Sequence, residues 1–164
     1  MLTATGNGRQ GAAESDTEPT ARCCKTVHQC SCVPVQPEPK LTDAAISFFT
    51  WNGKGLNKNE NTQLTVTVRQ LDGTVAARIA NYFGEFKEGS NNGPFNLLII
   101  NQSARSQLRS GNVTLRIDPD DVSGDEWKFN FFLSLGFSDS SHLSASADGV
   151  KLTENSREQS FGVA

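Results

Sequence analysis

Five carboxylates fall within nine residues, at Asp118, Asp120, Asp121, Asp125 and Glu126. Acidic side chains this close repel one another unless water solvates them or a cation is shared between them. A loop-borne cluster of oxygen donors suits Ca2+, which takes roughly six to eight oxygen ligands. The order is not that of an EF-hand, because the alternate-position donors and the distal Glu are missing. Asn52–Asn61, Asp139 and Asp148 are possible further donors. The competing expectation is that acidic, Asn and Gly residues here are turn formers.

A second candidate group is sulfur. All four cysteines, Cys23, Cys24, Cys30 and Cys32, lie within ten residues, with His28 among them. Thiolate and imidazole donors suit Zn2+ or Cu+. Vicinal and C-x-C pairs close a tetrahedral zinc site poorly; disulfide cross-links are a second alternative, and an unstructured segment with no specific role is the preferred reading. Pro34, Pro37 and Pro39 then favour extended backbone and a stiff linker up to Lys40. Residues 1–40 therefore read as a disordered, cysteine-bearing tail, and residues 41–164 as the domain.

Catalytic constellations are sparse. The domain's one histidine, His142, follows Ser140 and Ser141 in sequence, which places no third member of a triad beside it. No nucleophile elbow, phosphate loop or dinucleotide fingerprint occurs. Paired carboxylates for glycoside hydrolysis would depend on separation in space, so a small hydrolase stays as an alternative, and no catalytic residue is assigned. Aromatic residues near predicted strand ends, Trp51, Tyr82, Phe83 and Phe86, could instead stack on sugars or enter a membrane interface, or pack the core. Trp51, Asn57, Asn59 and Tyr82 are the expected ligand-binding residues.

These groups need a scaffold, and the hydrophobic pattern supplies one. Short β-branched or aromatic runs punctuated by Gly, Asn, Asp and Ser predict strands at about 45–51, 63–70, 75–81, 95–101, 112–118, 126–138, 142–147 and 158–163. Leu64, Val66 and Val68 alternate with Thr65, Thr67 and Arg69, so one face is buried and the other wet. Asp72-Gly73 is a hairpin signal. Trp127, Phe129, Phe131, Leu133, Leu135 and Phe137 form the longest stripe, with Phe132 the exception on the opposite side, and this strand is expected to be central. Ala104–Arg109 predicts a turn or two of helix. The fold class is all-β, an antiparallel sandwich of about eight strands.

Fifteen basic and 18 acidic residues leave a net charge of −3, which offers no broad positive field for a nucleic-acid backbone. No apolar run approaches the roughly 18–20 residues that span a bilayer, and no cationic start with an apolar stretch marks a secretory signal. The expectation is a soluble chain of unassigned compartment.

The layout resembles the C2 and PLAT (lipoxygenase-homology) modules over about Ala45 to Val163. The resemblance rests on strand-joining acidic loops, on the Gly53-Lys54-Gly55 and Asn-rich loop leading into Leu64–Val68, and on Trp127 opening a long strand. It implies a non-catalytic module that binds lipid, carbohydrate or protein, sometimes through Ca2+. The alternative is an assembly protein in which sandwich edges pair with partners and the cysteine-rich tail tethers, with oligomers possible.

Overall fold

Alternation of apolar and polar side chains commits most of the chain after Lys40 to strands. The computed structural model describes residues 36–120 and 126–164. Among them the elements run β1 (Leu41–Thr50), β2 (Gln63–Arg69), β3 (Val75–Tyr82), β4 (Asn91–Asn96), β5 (Leu98–Ile99), α1 (Arg105–Leu108), β6 (Asn112–Asp118), β7 (Glu126–Phe137), β8 (His142–Thr153) and β9 (Glu158–Gly162). They form two antiparallel sheets, one in the order β4-β1-β7-β8 and the other in the order β5-β3-β2-β6-β9. Both belong to the unit Glu38–Ala164. The cysteine-bearing segment lies outside the described residues.

The buried stripes meet between the sheets. Leu64, Val66, Val68, Val113, Leu115 and Ile117 face Ile46, Phe48 and the six-residue β7 stripe from Trp127 to Phe137, all nearly inaccessible. Burying each large apolar side chain is worth roughly 1.5–3 kcal/mol. Phe48 is the aromatic hub, with its centroid 5.2 Å from Trp127, 5.7 Å from Phe86 and 5.7 Å from Phe129. The Trp127 indole donates to Thr50 Oγ1 at 3.1 Å, so its one polar atom is partnered inside the core.

Several sequence expectations change in detail. Nine strands replace eight because the run read as a single strand at 95–101 is divided. Leu97 is buried and donates its N–H to Ala44 O at 2.8 Å, and the chain passes there from one sheet to the other. Pro94, which lacks an N–H, is accommodated because β4 is an edge strand. The strand expected at 142–147 runs on to Thr153. Asp148 and Gly149 do not end it. They sit together opposite the single residue Asn130, between the pairs Phe131↔Ala147 and Phe129↔Val150. This is a bulge, and Gly149 takes φ +65° there. β1 begins at Leu41, four residues before the expected Ala45. The end of the proline-rich stretch is docked, since Pro39 O accepts from Arg105 N at 2.9 Å and Glu38 accepts from Ser106 N at 3.0 Å.

Candidate functional site

Strand alternation dictates what the outer face of the four-stranded sheet carries. In register, Phe49 lies opposite Asn130 and Asn91, Ser47 opposite Phe132, and Phe132 opposite Ser146. These outward residues and Asp148 line a cleft of about 470 Å³, a size typical of small-ligand sites. Phe49 is 37% and Phe132 55% exposed, among the few large apolar side chains left in solvent. The other lining residues are the largely buried Phe48 and Phe131, Gly93, three asparagines, two serines and Asp148.

Asn130 is fixed from two sides. Its Oδ1 accepts from the Trp51 indole N–H at 2.6 Å and from the Gly149 backbone N–H at 2.8 Å. Both partners are obligate donors, so the amide oxygen must face them and the NH2 must face away. No acceptor for that NH2 occurs among the described residues. The bulge is what makes this possible, because it turns the Gly149 N–H toward Asn130 and brings Asp148 into the cleft lining. Lys128 Nζ sits 3.9 Å from the Trp51 ring centre, a cation–π contact that holds the indole beside the cleft.

The expected ligand-binding residues are dispersed. Trp51 stands next to the cleft through Asn130. Asn57 donates to Asn59 Oδ1 at 2.9 Å, in the loop before β2. Tyr82 packs against Phe95 at 4.8 Å and Phe86 at 5.9 Å. None of these last three lines the cleft. Phe86, read as a surface aromatic, is 2% exposed and belongs to the core, whereas Phe83 is 53% exposed. Lys58 is fully buried beside Phe86, its Nζ 5.3 Å from that ring centre and donating to Gly84 O at 2.6 Å and Asn59 O at 3.1 Å.

Of the acidic loop, Asp121 and Asp125 lie outside the described residues. Asp118 is gripped by Arg116, with Nε to Oδ2 at 2.9 Å and Nη2 to Oδ1 at 2.6 Å, and Arg157 approaches at 4.0 Å. The Arg116 hydrogen bonds, with the charges of Arg116 and Arg157, hold the Asp118 carboxyl below the usual aspartate range against a smaller opposing effect of burial. Glu126 pairs with Lys151 at 2.8 Å. Among the described residues no three His, Cys, Asp or Glu side chains converge. Asp120 has a partner of its own. Asp139 accepts from Ser141 N at 2.9 Å in the turn before the exposed His142.

Sequence reasoning did not assign Phe49, Asn130 or Phe132 as site residues, and it offered Asp148 only as a possible further cation donor. The available signal was Phe132, the one large apolar side chain on the wrong side of the β7 stripe. Searches against models of protein families and against curated proteins find no match for this chain.

Proposed function

We propose that the chain is a non-catalytic binding module whose four-stranded sheet takes a carbohydrate chain across its outer face. The observation that carries this reading is the combination of two exposed phenyl rings, Phe49 and Phe132, with the unpartnered amide NH2 of Asn130, which stands opposite Phe49 and two residues from Phe132 on β7. Sugar rings present an apolar C–H face that stacks on aromatic rings and a rim of hydroxyls that both donate and accept. Asn130 supplies a donor, Asp148 an acceptor, and Ser47, Ser146 and Asn91 groups of either kind. The cleft sets apolar rings beside amides, hydroxyls and a carboxylate, the mixture that a sugar's C–H face and hydroxyl rim would meet, and the resemblance in layout to C2 and PLAT modules supports ligand capture on a sandwich.

Assembly through sheet edges is the weaker reading. β5 is two residues long, β4 is interrupted by Gly93-Pro94, and the outer edge of β8 is capped where Ser144 and Ala164 exchange backbone hydrogen bonds of 2.9 and 3.0 Å. Short, proline-bearing and covered edges resist strand addition.

Affinity electrophoresis through gels cast with soluble β-glucan, xylan, mannan or dextran tests the proposal. Retardation is expected in at least one, and Phe49→Ala and Phe132→Ala should each weaken it about tenfold or more with the melting temperature held within a few degrees. No retardation in any gel, or retardation indifferent to both substitutions, would overturn the carbohydrate reading. Ca2+ is not required by this mode. Glu126 precedes Asn130 and Phe132 by four and six residues, about 13–20 Å along the strand, so chelation with EDTA should leave retardation unchanged.

A further inference from the structure

The outer face of the other sheet has different chemistry. Arg78, Thr67, Thr114 and Ser160 stand in one cross-strand row over β3, β2, β6 and β9. Arg69 lies two residues along β2 from Thr67, and Arg116 lies opposite Thr65 in the row on the other side. Thr65, Thr67, Arg69, Arg78, Thr114, Arg116 and Glu158 line a depression of about 240 Å³. Diagonal neighbours on one sheet face are about 7–8 Å apart, within reach of long side chains.

Charge on this face runs against the whole chain. Arg69, Arg78, Arg116 and Arg157 face two carboxylates, Asp118 and Glu158, which are occupied by Arg116 and Arg157. Arg69 spends one N–H on Gly73 O at 3.0 Å, and neither it nor Arg78 has an ion-pair partner among the described residues. Here two unneutralised guanidinium groups flank a floor of hydroxyls, of which Thr114 Oγ1 and Ser160 Oγ share a hydrogen bond of 2.8 Å that leaves one of the two protons available, in a protein of net charge −3. Guanidinium forks match tetrahedral oxyanions bidentately, and threonine hydroxyls supply further donors.

We propose that this face binds a sulfate or phosphate group, with Arg69 and Arg78 as the charged clamp and Thr67 and Thr114 as the hydroxyl floor. The site is independent of the carbohydrate cleft, which lies on the other sheet. A tetrahedral anion of this kind is either free in solution or carried as an ester on a polymer, and the arms of one experiment separate the two sources.

The full chain is titrated with inorganic phosphate, inorganic sulfate, dextran sulfate and unsulfated dextran, followed by amide and arginine Nε chemical shifts. Shifts confined to β2, β3 and β6 are expected with at least one anion. Tighter binding of dextran sulfate identifies a polymer-borne ester, and equal or tighter binding of an inorganic ion identifies the free anion. Arg69→Gln with Arg78→Gln should cut affinity for the inorganic anions and for dextran sulfate at least tenfold with an unchanged melting temperature. Lys54→Gln with Lys87→Gln removes the same charge elsewhere. An equal loss in that control would show diffuse electrostatics alone and overturn the site, as would binding unaffected by the arginine pair or the absence of shifts with all anions.

Discussion

Asn130 carries a structural role on its oxygen and, in the proposed carbohydrate mode, a ligand-binding role on its nitrogen. Its oxygen holds Trp51 and the β8 bulge, which turns its NH2 away from those donors on a residue that lines the cleft. Replacing it with Ala leaves an indole N–H and a backbone N–H without their acceptor, at a cost of about 1–3 kcal/mol for each donor shut off from water. Asn130→Asp keeps an acceptor for both N–H groups and removes the NH2 donor. The expected outcome is a clear loss of denaturation midpoint for Asn130→Ala, a smaller one for Asn130→Asp, and loss of polysaccharide retardation in both. Denaturant unfolding beside affinity electrophoresis checks the split, and equal stability losses would remove the acceptor role. Nothing local in the sequence announces this residue, because its partner Trp51 is 79 positions away. Phe132 was legible, since an aromatic side chain that breaks a strict alternation is visible without coordinates.

At the scale of elements, β8 shows where sequence reading stops. Asp-Gly is a strong turn former between strands, and at Asp72-Gly73 it does close the β2–β3 hairpin, with Thr74 N donating to Asp72 Oδ1 at 2.9 Å. The same dipeptide at 148–149 is absorbed into a continuous strand, because β7 continues alongside and supplies partners on both sides of the irregularity. Pairing partners, and not local propensity, decide between turn and bulge. The division of β4 from β5 was hidden for the same reason, as was the burial of Phe86, whose loop is held by the Lys58 ammonium. Two predictions belong here. Gly149→Val places a β-branched residue at φ +65°, with its Cβ 3.6 Å from Trp51 Cζ2. It should cost about 1–2 kcal/mol, whereas Gly149→Asn, which tolerates that conformation, should cost less; thermal melts of the two variants decide it. Lys58→Met strips the donor from Gly84 O and Asn59 O and should lower stability by about 1–3 kcal/mol for each carbonyl left dry. Urea unfolding measures this, and an unchanged midpoint would show that water replaces the ammonium.

Across the whole molecule, acidic groups held by donors set the response to pH. Asp118 is lowered chiefly by the Arg116 hydrogen bonds, Glu38 and Asp139 by hydrogen bonds from Ser106 and Ser141, and Asp72 by those from Thr74. Each carboxyl thus binds its proton more readily in the unfolded chain than in the native one. Stability then rises with pH wherever the unfolded state holds the extra proton. The contribution is complete above the ordinary carboxylate range of about 3.9–4.3 and is lost as pH falls through the lower native values. A melting temperature nearly level from about pH 7 to pH 5, falling progressively below about pH 4, is the expected profile. Asp118→Asn cannot ionise, so it should start lower at neutral pH and fall less steeply in acid, the two curves converging toward the acid end. The same convergence should appear when Arg116→Gln removes the partner that lowers Asp118, because both substitutions abolish one proton-linked difference between the folded and unfolded states. Parallel curves for wild type and Asp118→Asn would assign the acid limb to the other carboxylates, and differential scanning calorimetry between pH 7 and pH 2.5 distinguishes these outcomes.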